Sequence, residues 1–147
     1  MRHCELGGIE AEREAPGLFP GSSERPADVL LRASPALSKL KLPDFSGSQS
    51  VCLDFAVTHT LQTNYINRAS VEAGAAAAGY EETVKDEKYS EECTCKKNGL
   101  KFVPMVMEVY GVWGQRASPV LKFIARAVAN RKNLDEELAT SYLHRTC

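Results

Sequence analysis

The segment VCLDFAVTH, residues 51–59, constrains the fold most, because apolar side chains alternate along it with small or polar ones. Successive side chains of a β-strand point to opposite faces, so this pattern predicts a strand with one apolar face. That face would carry Val51, Leu53, Phe55 and Val57. Asp54 lies on the other face, and strands usually exclude aspartate. The sequence therefore raises the question of what Asp54 does there.

The segments around this strand predict the rest of a sheet. ADVLL, residues 27–31, predicts a short strand, and LKFVPMVMEVYG, residues 100–111, predicts a central strand covered on both faces. Residues 66–99 predict one long helix that ends at a glycine. The pair Ser118–Pro119 is typical of a helix start. The order strand, strand, helix, strand, helix predicts an α/β fold with a small mixed sheet flanked by helices.

The length of 147 residues fits one ordinary domain with a core of its own. We predict three segments within it. Residues 1–13 are a ragged or truncated first helix, residues 14–133 are the folded domain, and residues 134–147 are a polar C-terminal tail.

The composition of the chain indicates which cellular compartment and which classes of partner to expect. The chain has five cysteines, an odd number at irregular spacing, which argues against a secreted disulfide framework. Its start has no apolar stretch typical of a signal peptide, and no apolar run approaches the roughly 20 residues of a membrane span. We expect an intracellular protein, nuclear or cytoplasmic, without a membrane partner. The net charge of −1 is unlike that of strongly basic nucleic-acid binders, although basic residues can cluster locally.

Two acidic residues fall on strands that a hairpin would place side by side. Asp28 lies in the first strand, and Asp54 shares its face with only small or polar side chains, which leaves room for a metal or a substrate. Two adjacent carboxylates repel unless a proton or a cation lies between them. Oxygen ligands suit Mg²⁺ or Mn²⁺, which stabilise the charge of a phosphodiester transition state. The alternative is that both are ordinary, half-exposed acids near strand ends.

A resemblance to a known family gives these acids a specific meaning. The blocks RPADVLL, LPDFSGSQSVCLDFAVTHTLQ, KDEKYSEEC and GLKFVPMVMEVYGVWG occur in this order over roughly residues 14–125. They resemble the restriction-endonuclease-like, PD-(D/E)xK domain at the C-terminus of non-LTR (LINE-like) retrotransposon polyproteins. The resemblance implies a restriction-endonuclease-like fold that nicks DNA with Mg²⁺ (or Mn²⁺) to prime reverse transcription.

The resemblance also implies roles for particular residues. Asp28 matches the first metal-binding acid, and Asp54 matches the second. The catalytic lysine of this branch is displaced onto the following helix, where the chain has Lys85 and Lys88. A lysine near the two acids would orient the attacking water or stabilise charge on the phosphate. The alternative is that both lysines form i,i+4 pairs, such as Glu81–Lys85, on a solvated face.

The chain departs from the family pattern in several places. Ala56 stands where the usual motif has lysine, and RASPALSKLK looks like an insertion between the two acids. The preceding helix, which often supplies a glutamate, is short or missing, and Glu14 is the nearest substitute. These departures leave open the alternative that the chain is a degenerate, inactive remnant, which acts at most as a nucleic-acid-binding or structural module. The rest of a retroelement polyprotein would be a further partner.

Three other polar residues are candidates for supporting this site. Glu108 lies in an otherwise apolar strand, so it supports the site or sits at the exposed end of that strand. His59 and Gln62 follow the Asp54 strand and could contact a phosphate, or could be solvated loop residues.

The sequence gives little support to a zinc site, a catalytic nucleophile or a phosphate-binding loop. Cys93 and Cys95, with His144 and Cys147, have spacing atypical of structural zinc sites. No nucleophile elbow, Cys–His pair or phosphate-binding glycine loop is present in the sequence.

Overall fold

The structure is a computed structural model that describes residues 2–16, 18–19, 27–85, 94–133, 135 and 141. Its strands are β1 (Ala11–Arg13), β2 (Val29–Leu31), β3 (Val51–Thr58) and β4 (Lys101–Glu108). Its helices are α1 (Arg2–Gly7), α2 (Ile66–Ala69), α3 (Ala75–Tyr80), α4 (Thr94–Lys97) and α5 (Ser118–Lys132). A 3₁₀ turn covers Leu37–Lys39, and a π-helical turn, Glu81–Lys85, continues α3.

The four strands form one mixed sheet in the order β1-β2-β3-β4. The first three are antiparallel neighbours, and β3 and β4 are parallel over eight residue pairs. A parallel pair needs a crossover connection, and the helical segment between β3 and β4 supplies it. These observations confirm the predicted α/β fold at the level of a small mixed sheet with helices packed against it.

The larger core lies between one face of the sheet and α5. Alternate residues of β2, β3 and β4 point into it, and so does the apolar side of α5. The buried residues of α5 are Val120, Phe123, Ile124, Ala125, Val128 and Ala129, at the spacing expected of an amphipathic helix. Helix α1 packs on α5 closely enough that a methyl group at Gly7 would lie 2.9 Å from the Ala127 methyl.

A smaller core covers the opposite face of the sheet. It contains Leu30, Cys52 and Phe102 from the strands, with Cys95 from α4. This is the face on which the alternation of β3 places Asp54. The candidate acids therefore lie on the side of the sheet away from α5.

The prediction of one long helix over residues 66–99 is wrong. The described part of that region holds short helices, and the chain between α2 and α3 turns at Gly74, which has φ of 87°. Helix α2 already ends at Ala69, and Gly74, whose left-handed backbone cannot belong to a right-handed helix, precedes α3 as its N-cap. Inside α3, Gly79 packs so closely on Tyr65 that a side chain there would collide with the ring at 2.8 Å. Gly99, with φ of 69°, follows α4 as a helix stop, as predicted.

The ends of the sheet also differ from the prediction. Strand β4 pairs with β3 on one side, so within the described sheet it is an edge strand and not a central one. Its residues Phe102 to Val106 are nevertheless buried on both faces. An edge position tolerates Pro104, which has no N–H to donate. Strand β1 was not predicted, because three residues are too few to show an alternating pattern.

The far ends of β3 and β4 extend beyond the core. Phe55 and Val57 share the face of the buried Val51 and Leu53, yet they are 43% and 63% exposed. The Trp113 ring meets the Phe55 ring edge-to-face, with 6.4 Å between the ring centres. Trp113 is half-buried and packs against the larger core.

Among the described helices, none is both long and apolar enough to cross a membrane.

Candidate functional site

The register of β2 and β3 brings Asp28 and Asp54 together. Val29 pairs with Leu53, so continuing this antiparallel register by one residue places Asp28 beside Asp54. Directly opposed residues on neighbouring strands have Cβ atoms about 4.5–5.5 Å apart. Asp54 is half-buried, whereas Asp28 is exposed. The two acids that the sequence singles out are thus cross-strand neighbours at one end of a short hairpin ladder.

A hydrogen bond fixes the carboxylate of Asp28 at this position. The backbone N–H of Phe55 donates to Oδ2 of Asp28 at 2.7 Å. Strand β2 begins only at Val29, so the carboxylate accepts an amide hydrogen at the point where the ladder between the strands starts. The bond places the Asp28 carboxylate against the peptide that follows Asp54, and it leaves Oδ1 for another partner.

Glu14 extends the acids to a third strand. Its backbone N–H donates to the carbonyl oxygen of Asp28 at 2.9 Å, which places Glu14 beside Asp28 at the end of β1. Its φ of 45° is in the left-handed region, an uncommon conformation for a residue other than glycine. Such residues cost conformational energy and cluster at functional sites. We call Glu14, Asp28 and Asp54 the acidic row.

On the β4 side of Asp54, the neighbouring residue is apolar and does not extend the acidic row. Asp54 pairs with Pro104, a buried residue that offers no donor or charge on that side. The neighbours of Asp54 along β3 on the same face are Cys52 and Ala56. Both of these side chains are small.

The acids of the row fit a hard divalent cation. Within the described residues, no group of three or more His, Cys, Asp or Glu side chains is arranged to enclose a metal ion. Mg²⁺ does not require such an enclosure, since it keeps several waters and is bound through one or two carboxylates plus substrate phosphates. Asp28 and Asp54 would hold it, and two adjacent like charges favour a cation between them.

The candidate lysines cannot be placed with respect to the row. Lys88 lies outside the described residues, and Lys85 is described only as the last backbone position of the π-helical turn. Glu81, the predicted partner of Lys85, is not on a solvated face, because only 3% of it is exposed. A side chain added at Gly114 would collide with Oε1 of Glu81, which shows how closely this carboxylate packs against the chain after β4.

Glu108 has a structural role away from the row. It is buried, with 3% exposure, and not at an exposed strand end. Its Oε1 accepts the backbone N–H groups of Ala76 at 3.0 Å and Ala77 at 3.3 Å. These amides belong to the first turn of α3, whose N–H groups have no partner within the helix. Glu108 pairs with Thr58, four residues along the ladder from Asp54, or about 13 Å.

His59 and Gln62 also lie beyond the far end of β3. Nδ1 of His59 accepts the N–H of Leu61 at 3.1 Å, and the imidazole ring meets the Tyr110 ring edge-to-face. Gln62 is exposed, and its N–H donates to the carbonyl oxygen of His59. The structure does not bring either side chain to the acidic row.

The comparisons with known proteins add no assignment to this geometry. No protein-family model, curated protein or solved structure matches the chain. We therefore infer the function from the residues themselves and from the resemblance of the sequence blocks.

Proposed function

We propose that this chain is a divalent-metal-dependent endonuclease domain, derived from a retrotransposon, that nicks DNA by hydrolysing a phosphodiester bond. The observation that carries the proposal is the adjacency of Asp28 and Asp54, which are far apart in sequence and lie one residue beyond the last pair of the β2–β3 ladder, where the Phe55 amide donates to Asp28. The mixed sheet supports a restriction-endonuclease-like fold as the finer description. The resemblance of the sequence blocks supplies DNA as the substrate and Mg²⁺ or Mn²⁺ as the cofactor.

The acids would act by position and charge. Asp28 and Asp54 would hold the cation, and the hydrogen bond from the Phe55 amide would fix the position of the Asp28 carboxylate. When bound, the cation supplies positive charge for the phosphoryl oxygens and favours ionisation of the attacking water. The water oxygen bonds to phosphorus as one ester P–O bond breaks, and the departing oxygen takes up a proton. In this proposal Lys88, or Lys85, stabilises the charge that develops on the phosphate.

A second candidate function is a degenerate domain that no longer cuts. The bond from Phe55 to Asp28 favours it, because that bond gives the carboxylate a structural purpose without any metal. Ala56 in place of the motif lysine favours it as well. An unrelated interaction domain is less well supported, because four sequence blocks that resemble the nuclease family occur in the order of that family.

A plasmid-nicking assay distinguishes these functions. Supercoiled DNA is incubated with the wild-type chain in Mg²⁺, in Mn²⁺ and in EDTA, and conversion to the open-circular form is measured. We expect metal-dependent nicking that Asp54→Asn abolishes, since an amide keeps the shape of the side chain and loses the charge that holds the cation.

Asp44→Asn is the matched control. Asp44 is an exposed acid in the segment between β2 and β3, outside the acidic row, and its φ of 52° is one that asparagine tolerates. We expect this variant to nick like the wild type. A folded wild-type chain that nicks in neither metal would establish the degenerate domain instead.

A further inference from the structure

A second charged feature lies on the opposite side of the sheet from the acidic row. An open cavity of about 760 Å³ runs beside α5, between this helix, the 3₁₀ segment that follows β2, and the end of α1. Its cationic lining residues are Lys39, Lys41, Lys122, Arg126 and Arg131, and no acidic residue occurs among the described lining residues. We call this cavity the basic groove.

The cations form two facing walls. Lys122 and Arg126 are one turn apart on α5, and Arg131 lies further along the same helix. Lys39 and Lys41 come from the segment across the groove. From Lys122 to Arg131 the helix rises by about 13 Å, a length that spans about four phosphates along one strand of a duplex.

The three lysines of the groove have no acidic partner among the described residues. All five cations are exposed, and no described carboxylate forms a salt bridge with Lys39, Lys41 or Lys122. Arg131 donates to the carbonyl oxygen of Glu5 at 3.2 Å, which fixes one end of the groove without neutralising it. Gathering like charges is unfavourable in a chain whose net charge is −1, unless an anion shares the site.

We propose that the basic groove binds the sugar–phosphate backbone of a nucleic acid, without sequence preference. Five cations from two segments of the chain, spread along α5, suit a chain of phosphates better than a single anion. The concave shape does not suit a flat membrane surface. Exposed aromatic rings that could stack on bases are not among the described lining residues, so the groove would hold the backbone and not read bases.

This proposal does not depend on the metal chemistry of the acidic row. The sheet separates the two features, because the apolar side of α5 packs on one face and Asp54 lies on the other. A nucleic acid in the groove would be anchored there, and the acids could be active or inactive. Binding can therefore be measured in EDTA, where no cutting takes place.

The test compares two lysines of the same helix. Fluorescence anisotropy measures binding of a short random-sequence DNA in EDTA, for the wild type, Lys122→Glu and Lys132→Glu. Lys132 is exposed and near the end of α5, and it does not line the groove. Both changes alter the net charge equally, and circular dichroism with thermal unfolding verifies that each variant is folded.

We expect Lys122→Glu to weaken DNA binding about tenfold and to lower the slope of log K against log salt by about 1 or more. Lys132→Glu should change the affinity less than about twofold, since its charge lies off the groove. Equal loss in both variants would overturn the proposal, because binding would then follow net charge alone. Undetectable binding by the wild type would overturn it as well.

Two competitors test the class of ligand. Free tripolyphosphate should compete only weakly, and vesicles containing phosphatidylserine should not bind in a manner sensitive to Lys122→Glu. Competition by tripolyphosphate as strong as that by DNA would make the groove a small-anion site and contradict a polymer backbone. Vesicle binding that Lys122→Glu removes would make it a membrane site.

Discussion

The carboxylate of Asp28 accepts the Phe55 amide hydrogen and also lies beside Asp54. The hydrogen bond contributes to the stability of the hairpin, whereas the pair of like charges opposes it. Substitutions at this one residue can separate the two effects. Asparagine keeps an oxygen that accepts the amide hydrogen and removes the charge, and alanine removes both.

We predict that, in EDTA, Asp28→Asn is as stable as the wild type or slightly more stable. Asp28→Ala should lose about 1 kcal/mol relative to Asp28→Asn, because the Phe55 amide loses its acceptor in a partly exposed position. Urea unfolding of the three chains measures the difference. Equal stability of the two variants would mean that the hydrogen bond contributes nothing.

The thiol of Cys4 makes the stability of the folded state depend on pH in the alkaline range. Burial in the larger core raises the pKa of its thiol above the ordinary value of 9.0. The folded state therefore binds this proton more tightly than the unfolded state. The resulting stabilisation is complete below the ordinary pKa and is lost as the pH rises through the raised pKa. Cys4→Ser removes this titration.

We predict that the wild type loses more stability than Cys4→Ser between about pH 8 and about pH 10. Urea unfolding at each pH measures the two slopes, and the buried hydroxyl of serine affects both ends of the range alike. Parallel slopes for the two chains would show that the Cys4 thiol does not couple to folding.

At the scale of elements, the strands and helices that could be predicted were those with a long repeating pattern in the sequence. The alternation of β3 and the apolar stripe of α5 each extend over many residues, and both elements form close to where the sequence indicates. The single helix expected over residues 66–99 does not form, because its alanines favour helix only locally, while α2 ends at Ala69 and a new helix starts after the left-handed Gly74. Strand β1 exists through its pairing with β2, a tertiary contact that leaves no local pattern.

The candidate site could likewise be predicted only in part. A hairpin between two recognisable strands was enough to place Asp28 beside Asp54. The role of Glu108 could not be foreseen, because its partners belong to α3, a helix whose start depends on the break at Gly74. The hydrogen bond from the Phe55 amide to Asp28 could not be foreseen either, because it depends on where β2 begins.

Glu108 connects β4 to α3, and its removal should weaken the contact between these elements. We predict a loss of about 2–3 kcal/mol for Glu108→Ala, because two buried N–H groups lose a charged acceptor. Glu108→Gln should lose less, since its amide oxygen still accepts. Urea unfolding measures both against Glu72→Ala, an exposed acid in the turn before α3. A loss in Glu108→Ala no larger than in Glu72→Ala would contradict this role.

At the scale of the whole molecule, the sheet keeps opposite charges apart. Asp28 and Asp54, which are distant in sequence, lie together on one side, and Glu14 lies beside Asp28. On the other side, α5 presents the basic groove. The near-neutral net charge thus includes two surfaces of opposite sign, and in our proposal the acidic surface is a cation site.

Manganese binding, followed by electron paramagnetic resonance of free Mn²⁺, tests that claim without requiring activity. We predict that the wild type binds Mn²⁺ and that Asp28→Asn and Asp54→Asn each weaken binding about tenfold or more, which is the order of the loss typical of altered metal sites. The control Asp44→Asn should bind like the wild type. Equal affinity in the wild type and Asp54→Asn would contradict the claim, and the acidic row would then be only a feature of the hairpin.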